Sequence, residues 1–316
     1  MTKYWISVRK VQGDEFTADP ELGATRYLKV PDGVVPKPAH QIPVAQWVRE
    51  IMQTFPTSPQ NGPTGDVLFF VHGYNASVAD VDQRHKAIQA GLTANNFSSC
   101  LVISFDWPSD TDPLAYLPDR DKAKLTAIRM VNAGIKLFVR TQANVCDINV
   151  HVLGHSTGAF VIREAFDHAD DGQVSGAAWI VGQIALIAGD VSSKSYSEGN
   201  PETESTYRRC YRLTNYSNGH DQVLQISNAK RAGFSPRVGR VGLPSDAPSK
   251  AVNVDCSGHY HKNYGDGSLS QSHSWHFGDA VFLKDLTETI KGDLDRSVIP
   301  TRDHPDPAGW QRLKKP

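Results

Sequence analysis

The sequence predicts an α/β fold with a mostly parallel central sheet and helices on both faces, and three observations carry that expectation. Four short apolar runs, at residues 67–71, 100–105, 148–153 and 178–188, are bounded by turn residues, the mark of strands buried on both faces of a sheet. Helix-length segments at 79–94, 123–140 and 159–169 separate them, and strands alternating with helices argue for βαβ units. The chain has 316 residues, 39% of them hydrophobic, so it can enclose one large core.

Taken in order, residues 5–9 and 25–30 read as two short strands forming an antiparallel start. A Pro-rich link at 31–43 and a short helix over 44–52 precede the first buried strand. Beyond the apolar runs, strands are expected at 211–216 and 251–254 and helices at 222–232 and 279–291. The polar, Pro-rich tail after Val298 reads as a surface arm. The expected layout is one domain over 1–316: N-terminal strands and link to residue 60, a catalytic core over 66–292, and an arm over 298–316.

Composition narrows the function. The 33 Lys and Arg nearly cancel the 34 Asp and Glu, which favours neither nucleic acid nor an acidic membrane surface as partner. The first ten residues lack the apolar core of a signal peptide, and no run of 18 apolar residues occurs, so a cytoplasmic protein is expected. The cysteines, Cys100, Cys146, Cys210 and Cys256, stand singly and are read as reduced thiols. Cys100 and Cys146 lie beside apolar strands, where core packing is their expected role.

The motif that carries chemistry follows the third run. Residues 148–153 lead straight into Gly154-His155-Ser156-Thr157-Gly158, and an apolar helix starts at once. This is the G-x-S-x-G nucleophile elbow of the α/β-hydrolase fold: a tight strand-to-helix turn lifts the serine hydroxyl above the sheet, and Gly154 and Gly158 supply the clearance. His155 is expected to shape the elbow. A serine hydroxyl becomes a nucleophile only when a base takes its proton, and the oxyanion that develops needs preorganised N–H donors. His72-Gly73-Tyr74-Asn75 follows the first buried strand, where this fold keeps its oxyanion loop, so the backbone N–H groups of Tyr74 and Thr157 are the expected donors. His72 precedes the nucleophile, against the fold's order of Ser, acid, His, and is expected to order the loop; Asn75 either completes the oxyanion hole or caps the next helix.

For the acid, Asp221 ends the turn Asn-Tyr-Ser-Asn-Gly-His-Asp, with Asp190, one strand earlier, as the alternative. For the base, His273 and its alternative His276 lie closest to the final helix. His259 and His261 are expected on an exposed, glycine-rich loop. With Asp255 and Cys256 they supply zinc-ligand types, but their spacing matches no zinc pattern, so no metal and no cofactor are expected.

The order of these pieces resembles the α/β hydrolases catalogued as the domain-of-unknown-function family numbered 900. The matching residues are Phe70-Val71-His72-Gly73-Tyr74-Asn75, Phe105-Asp106-Trp107-Pro108-Ser109, Gly154 to Gly158, Asp221, and His273-Ser274-Trp275, spanning about 66–290. The resemblance implies the triad Ser156, Asp221, His273 and an esterase-like activity. Residues 191–209, where lipases insert a lid, are short and polar, so no large lid domain is expected, and the substrate is expected to be a small short-acyl ester. The loops 106–120, with Trp107, Leu114, Tyr116 and Leu117, and 227–250 are the other available walls. The same triad serves amides, thioesters and acyl transfer, and a non-catalytic binding protein on this fold is the remaining alternative. The sequence assigns no oligomeric state.

Overall fold

A computed structural model of the chain describes residues 1–59, 62–109, 116–138, 147–171, 179–230, 235–265, 267–303, 305–306 and 309–314. In chain order the strands are β1 (Lys3–Ser7), β2 (Arg9–Gln12), β3 (Glu15–Pro20), β4 (Arg26–Val30), β5 (Gln41–Ile42), β6 (Thr57–Ser58), β7 (Gly62–Val71), β8 (Cys100–Asp106), β9 (Asp147–His155), β10 (Val181–Ile187), β11 (Cys210–Ser217), β12 (Ala251–Asp255), β13 (Arg302–Asp303) and β14 (Gln311–Leu313). Among the described residues, twelve strands form one sheet in the order β13-β14-β12-β11-β10-β9-β7-β8-β1-β4-β5, with β6 paired to β7. Every pairing from β1 through to β14 is parallel, and the antiparallel partners β4, β5 and β13 lie at the two edges. The expected antiparallel start is the β1–β4 pair, although β1 itself runs parallel to β8.

Successive side chains of a strand point to opposite faces, and β7 shows what this does for packing. Val67, Phe69 and Val71 join one core with Trp47, Ala127, Phe160 and Phe166, carried by helices Val44–Met52, Tyr116–Met130 and Gly158–Asp171. Leu68 and Phe70 join a second core with Val81, Ile88, Phe282 and Leu286, from helices Val78–Ala94 and Ala280–Lys291. Both faces of the strand are covered, which is why its sequence is a continuous apolar run and not an alternating one.

Four segments depart from the expectation. The Pro-rich link contributes β5, and residues 191–209 hold helix Pro201–Arg208, whose Tyr207 is buried against Tyr196; among the described residues no large lid is present. The loop expected to carry His259 and His261, and the loop expected to carry the base, instead form helices Ser257–Tyr264 and Leu269–Ser274. The C-terminal arm enters the sheet as β13 and β14. Arg302 is fully buried against Asp285, with Nη2 donating to Oδ1 at 2.7 Å and Nε to Oδ2 at 2.9 Å. Tyr216 and Thr301 donate to the same carboxylate. A polar, Pro-rich composition signals surface unless a buried charge finds its partner, and here it does. Cys100, Cys210 and Cys256 are buried free thiols. Cys146 lies outside the described residues, as do the expected element ends at 140, 178 and 232.

Candidate active site

The elbow is built where β9 meets helix Gly158–Asp171. Ser156 holds a left-handed backbone, φ 57°, which a non-glycine residue adopts only under constraint from its surroundings. Its N–H donates to Ile187 O at 3.0 Å, and its carbonyl accepts from Ala159 and Asp190. A Cβ on Gly158 would lie 2.2 Å from the Val71 carbonyl oxygen, and one on Gly154 2.5 Å from Ile162 Cδ1, so the two glycines give the clearance the motif needs. Gly73 is equally crowded: a Cβ there would lie 2.6 Å from that of Ser156.

A cavity of about 340 Å³ opens above the serine, lined in part by Tyr74, Asn75, Ser156, Thr157, Leu224 and His273. His273, in the last turn of helix Leu269–Ser274, directs Nδ1 to Asp221 Oδ2 at 2.7 Å. Asp221 is fully buried, and its Oδ1 accepts from the Leu224 N–H at 2.9 Å, so both carboxylate oxygens are held. With Nδ1 engaged by the carboxylate, Nε2 is the imidazole nitrogen left for the cavity.

A family model described as alpha/beta hydrolase of unknown function (DUF900) matches residues 50–253. The chain belongs to this DUF900 family. No curated protein matches the chain. Solved structures similar to it include a cutinase-like protein from Cryptococcus sp., 13% identical with a TM-score of 0.35, covering 75% of this chain and 96% of that one. Carboxyl esterase 2 from Tuber melanosporum is 11% identical with a TM-score of 0.40, covering 86% and 83%. Phospholipase PlaB from Legionella pneumophila is 11% identical with a TM-score of 0.38, covering 79% and 67%. Within this DUF900 hydrolase, Ser156 and Asp221 fall inside the matched segment, whereas His273 lies 20 residues beyond its end at residue 253.

The other expected site residues are distributed as follows. Asp190 lines the cavity, with its Oδ1 accepting from Ser227 Oγ at 3.0 Å and 3.2 Å from Arg237 Nε. His276 is fully buried between Trp275 and Phe282, and neither ring nitrogen has a hydrogen-bond partner among the described residues. His155 is buried beneath the elbow; its Nε2–H donates to the His273 carbonyl at 3.0 Å, so it holds the backbone of that residue. Burial, reinforced by the nearby Arg84 charge, pushes the His155 pKa well below the ordinary imidazole range and keeps the ring neutral. Asn75 lines the cavity with φ 56° and does not cap the following helix, because Ser77 does: its Oγ accepts from Asp80 N. His259 departs from the exposed-loop expectation. It is buried, and its two ring nitrogens meet the Lys314 carbonyl at 2.7 Å and Asp279 Oδ2 at 2.9 Å; His261 is exposed as expected.

Sequence reasoning missed how these groups are braced, and it offered Trp107 as a cleft wall, whereas the ring is fully buried and does not line the cavity. Arg9, buried at the end of the N-terminal apolar run, donates from Nε to Asp106 Oδ1, from Nη1 to Ser109 O and from Nη2 to Ala76 O. Trp107 stacks on His72 and donates its indole N–H to the His72 carbonyl at 2.8 Å. The His72 Nδ1–H donates to the Gly73 carbonyl, and burial keeps its pKa below the usual range. The Trp-Pro-Ser element and Arg9 thus fix the loop that carries Tyr74. Asn218 and Ser272 do the same around Asp221 and His273: Asn218 Nδ2 donates to Ser272 O, and Ser272 Oγ accepts from Gln222 N. Asn-Gly at 218–219 was legible as a turn, but nothing in the sequence joined it to Ser272.

Proposed function

We propose that this DUF900 hydrolase cleaves carboxylic esters through an acyl-enzyme on Ser156, with His273 as base, Asp221 as its orienter, and the backbone N–H groups of Tyr74 and Thr157 as the oxyanion hole. The observation that supports the reading is one constellation. A strained elbow serine shares a cavity with an imidazole whose far nitrogen is bound at 2.7 Å to a buried carboxylate. His273 Nε2 accepts the Ser156 Oγ proton as the oxygen attacks the ester carbonyl. It then returns that proton to the departing alcohol, and a water activated by the same nitrogen releases the acid. His276 has no place in this scheme, being outside the cavity wall, and Asp190 is engaged by Ser227 and Arg237.

The cavity stands near the lower limit of small-molecule sites, and its apolar walls are Val223, Leu224, Ile226 and Leu269. These come from the helices flanking the acid and the base, not from residues 191–209. Of the walls proposed from sequence, Leu114 lies outside the described residues. A short acyl group, acetate to hexanoate, fits that space.

The test is labelling by a fluorophosphonate together with turnover of p-nitrophenyl butyrate. Ser156→Ala loses both, with kcat falling on the order of a millionfold, while circular dichroism is unchanged. His273→Ala and Asp221→Asn each lower kcat/KM far more than Asp190→Asn. A folded Ser156→Ala protein that keeps a tenth of wild-type turnover refutes the assignment.

A further inference from the structure

The cavity wall contains a cation that has no ion-pair partner among the described residues. Arg84 projects from the middle of helix Val78–Ala94 and lines the same cavity as Ser156 and His273. Its Nη1 is buried and makes no hydrogen bond, and among the described residues the guanidinium has no ion-pair partner. Asp80, one turn earlier on the helix, spends its Oδ2 on the N–H and hydroxyl of Ser77. Asp190, the carboxylate in the cavity wall, lies against Arg237. The ring of Phe277, 5.4 Å from the guanidinium carbon, covers one face of the cation but accepts no N–H bond. Burial draws the Arg84 pKa down from its ordinary value, and the Asp80 carboxylate one turn away offsets this only in part.

We infer that the substrate carries an anionic group, a carboxylate or a phosphate, close to the scissile ester, and that Arg84 receives it while Val223, Leu224, Ile226 and Leu269 hold the apolar body. A guanidinium presents its donors as a planar fork that matches either anion two bonds at a time, which suits it to fixing a short substrate's direction in the cleft. The anion takes no part in the chemistry: ester and water still give acid and alcohol. Arg84 is therefore a specificity-determining residue. The inference rests on the ester-hydrolase reading above, and one arm of its test does not.

The first arm compares kcat/KM for mono-p-nitrophenyl succinate with that for p-nitrophenyl butyrate, and for 2-(butyryloxy)ethyl phosphate with that for 2-(butyryloxy)ethanol. At least one anionic ester is preferred tenfold or more. Arg84→Gln cuts that ratio at least tenfold, mainly through KM, and Arg84→Lys retains part of it. The carboxylate and phosphate pairs tell which anion is meant. The second arm uses Ser156→Ala protein and measures binding of glutarate and of inorganic phosphate by calorimetry, with and without Arg84→Gln. Loss of tenfold or more in affinity supports the site even if Ser156 were not the nucleophile. Ratios of one or below in the wild type, ratios that Arg84→Gln leaves unchanged, or anion binding that is absent or independent of Arg84, overturn it.

Discussion

His276 shows how burial decides the behaviour of one side chain. It lies 4.2 Å from the Trp275 ring centroid and 4.8 Å from that of Phe282, and burial pushes its pKa well below the ordinary imidazole range. His72 and His155 are shifted the same way by burial, and His85 is lowered to about 3. The unfolded chain takes up protons at these four rings below about pH 6.5, the folded chain does not, and stability is therefore lost as pH falls through that value. His259 has the opposite sign. Burial pulls it down, but the Asp279 carboxylate and the Lys314 carbonyl outweigh burial and raise it, so its contribution is present at low pH and fades as pH rises. His40 is lowered by burial as well, so five rings against one make acid the destabilising direction among the histidines. Replacing His276 by Phe, which removes two unbonded nitrogens and keeps an aromatic ring, makes the decline between pH 7 and pH 5 shallower. Urea titrations at several pH values measure it; an unchanged decline would show that the ring is protonated in the folded state.

The elbow depends on contact between two elements. Helix Gly158–Asp171 starts against the end of β7 so closely that a methyl group at residue 158 meets the carbonyl oxygens of Val71 and His72, at 2.2 and 2.8 Å, both on backbone. Gly158→Ala must push the helix off the strand that carries the oxyanion loop. We expect a loss of about 3 kcal/mol, seen as a lower Tm, together with loss of fluorophosphonate labelling; wild-type labelling would mean that the contact is dispensable. Elements of this kind are legible in sequence because buried parallel strands are continuous apolar runs and a crowded turn demands glycine. Helices Ser257–Tyr264 and Leu269–Ser274 were not legible. Gly258, Gly265 and Gly267 read as loop; the Ser268 cap on Gln271 N is local, but Tyr260 and Trp275 hold the helices by packing in the second core against residues remote in sequence. For the same reason the sequence offered both His273 and His276. Only the turn of the chain between them, from helix to the 3₁₀ segment Trp275–Gly278, puts one in the cavity and the other in the core.

At the scale of the whole molecule the C-terminal arm is part of the sheet, and the charge it buries makes it costly to detach. Arg302→Met leaves Asp285 buried without its cation, and a cost of about 3–5 kcal/mol is expected, measured as a fall in the urea midpoint; a change within 0.5 kcal/mol would return the arm to the surface. The residues around the cavity come from distant parts of the chain, among them 74–75 after β7, 156–157 after β9, 190 after β10, 223–227 after β11, and 269–274 before the last helix. Pairings of such high sequence separation form late, because loop-closure entropy has to be overcome before any of them is rewarded. No contiguous fragment holds the whole cavity. In refolding from urea, esterase activity is therefore expected to return with the slowest tryptophan-fluorescence phase and with none of the earlier ones, so that catalysis reports completion of the fold.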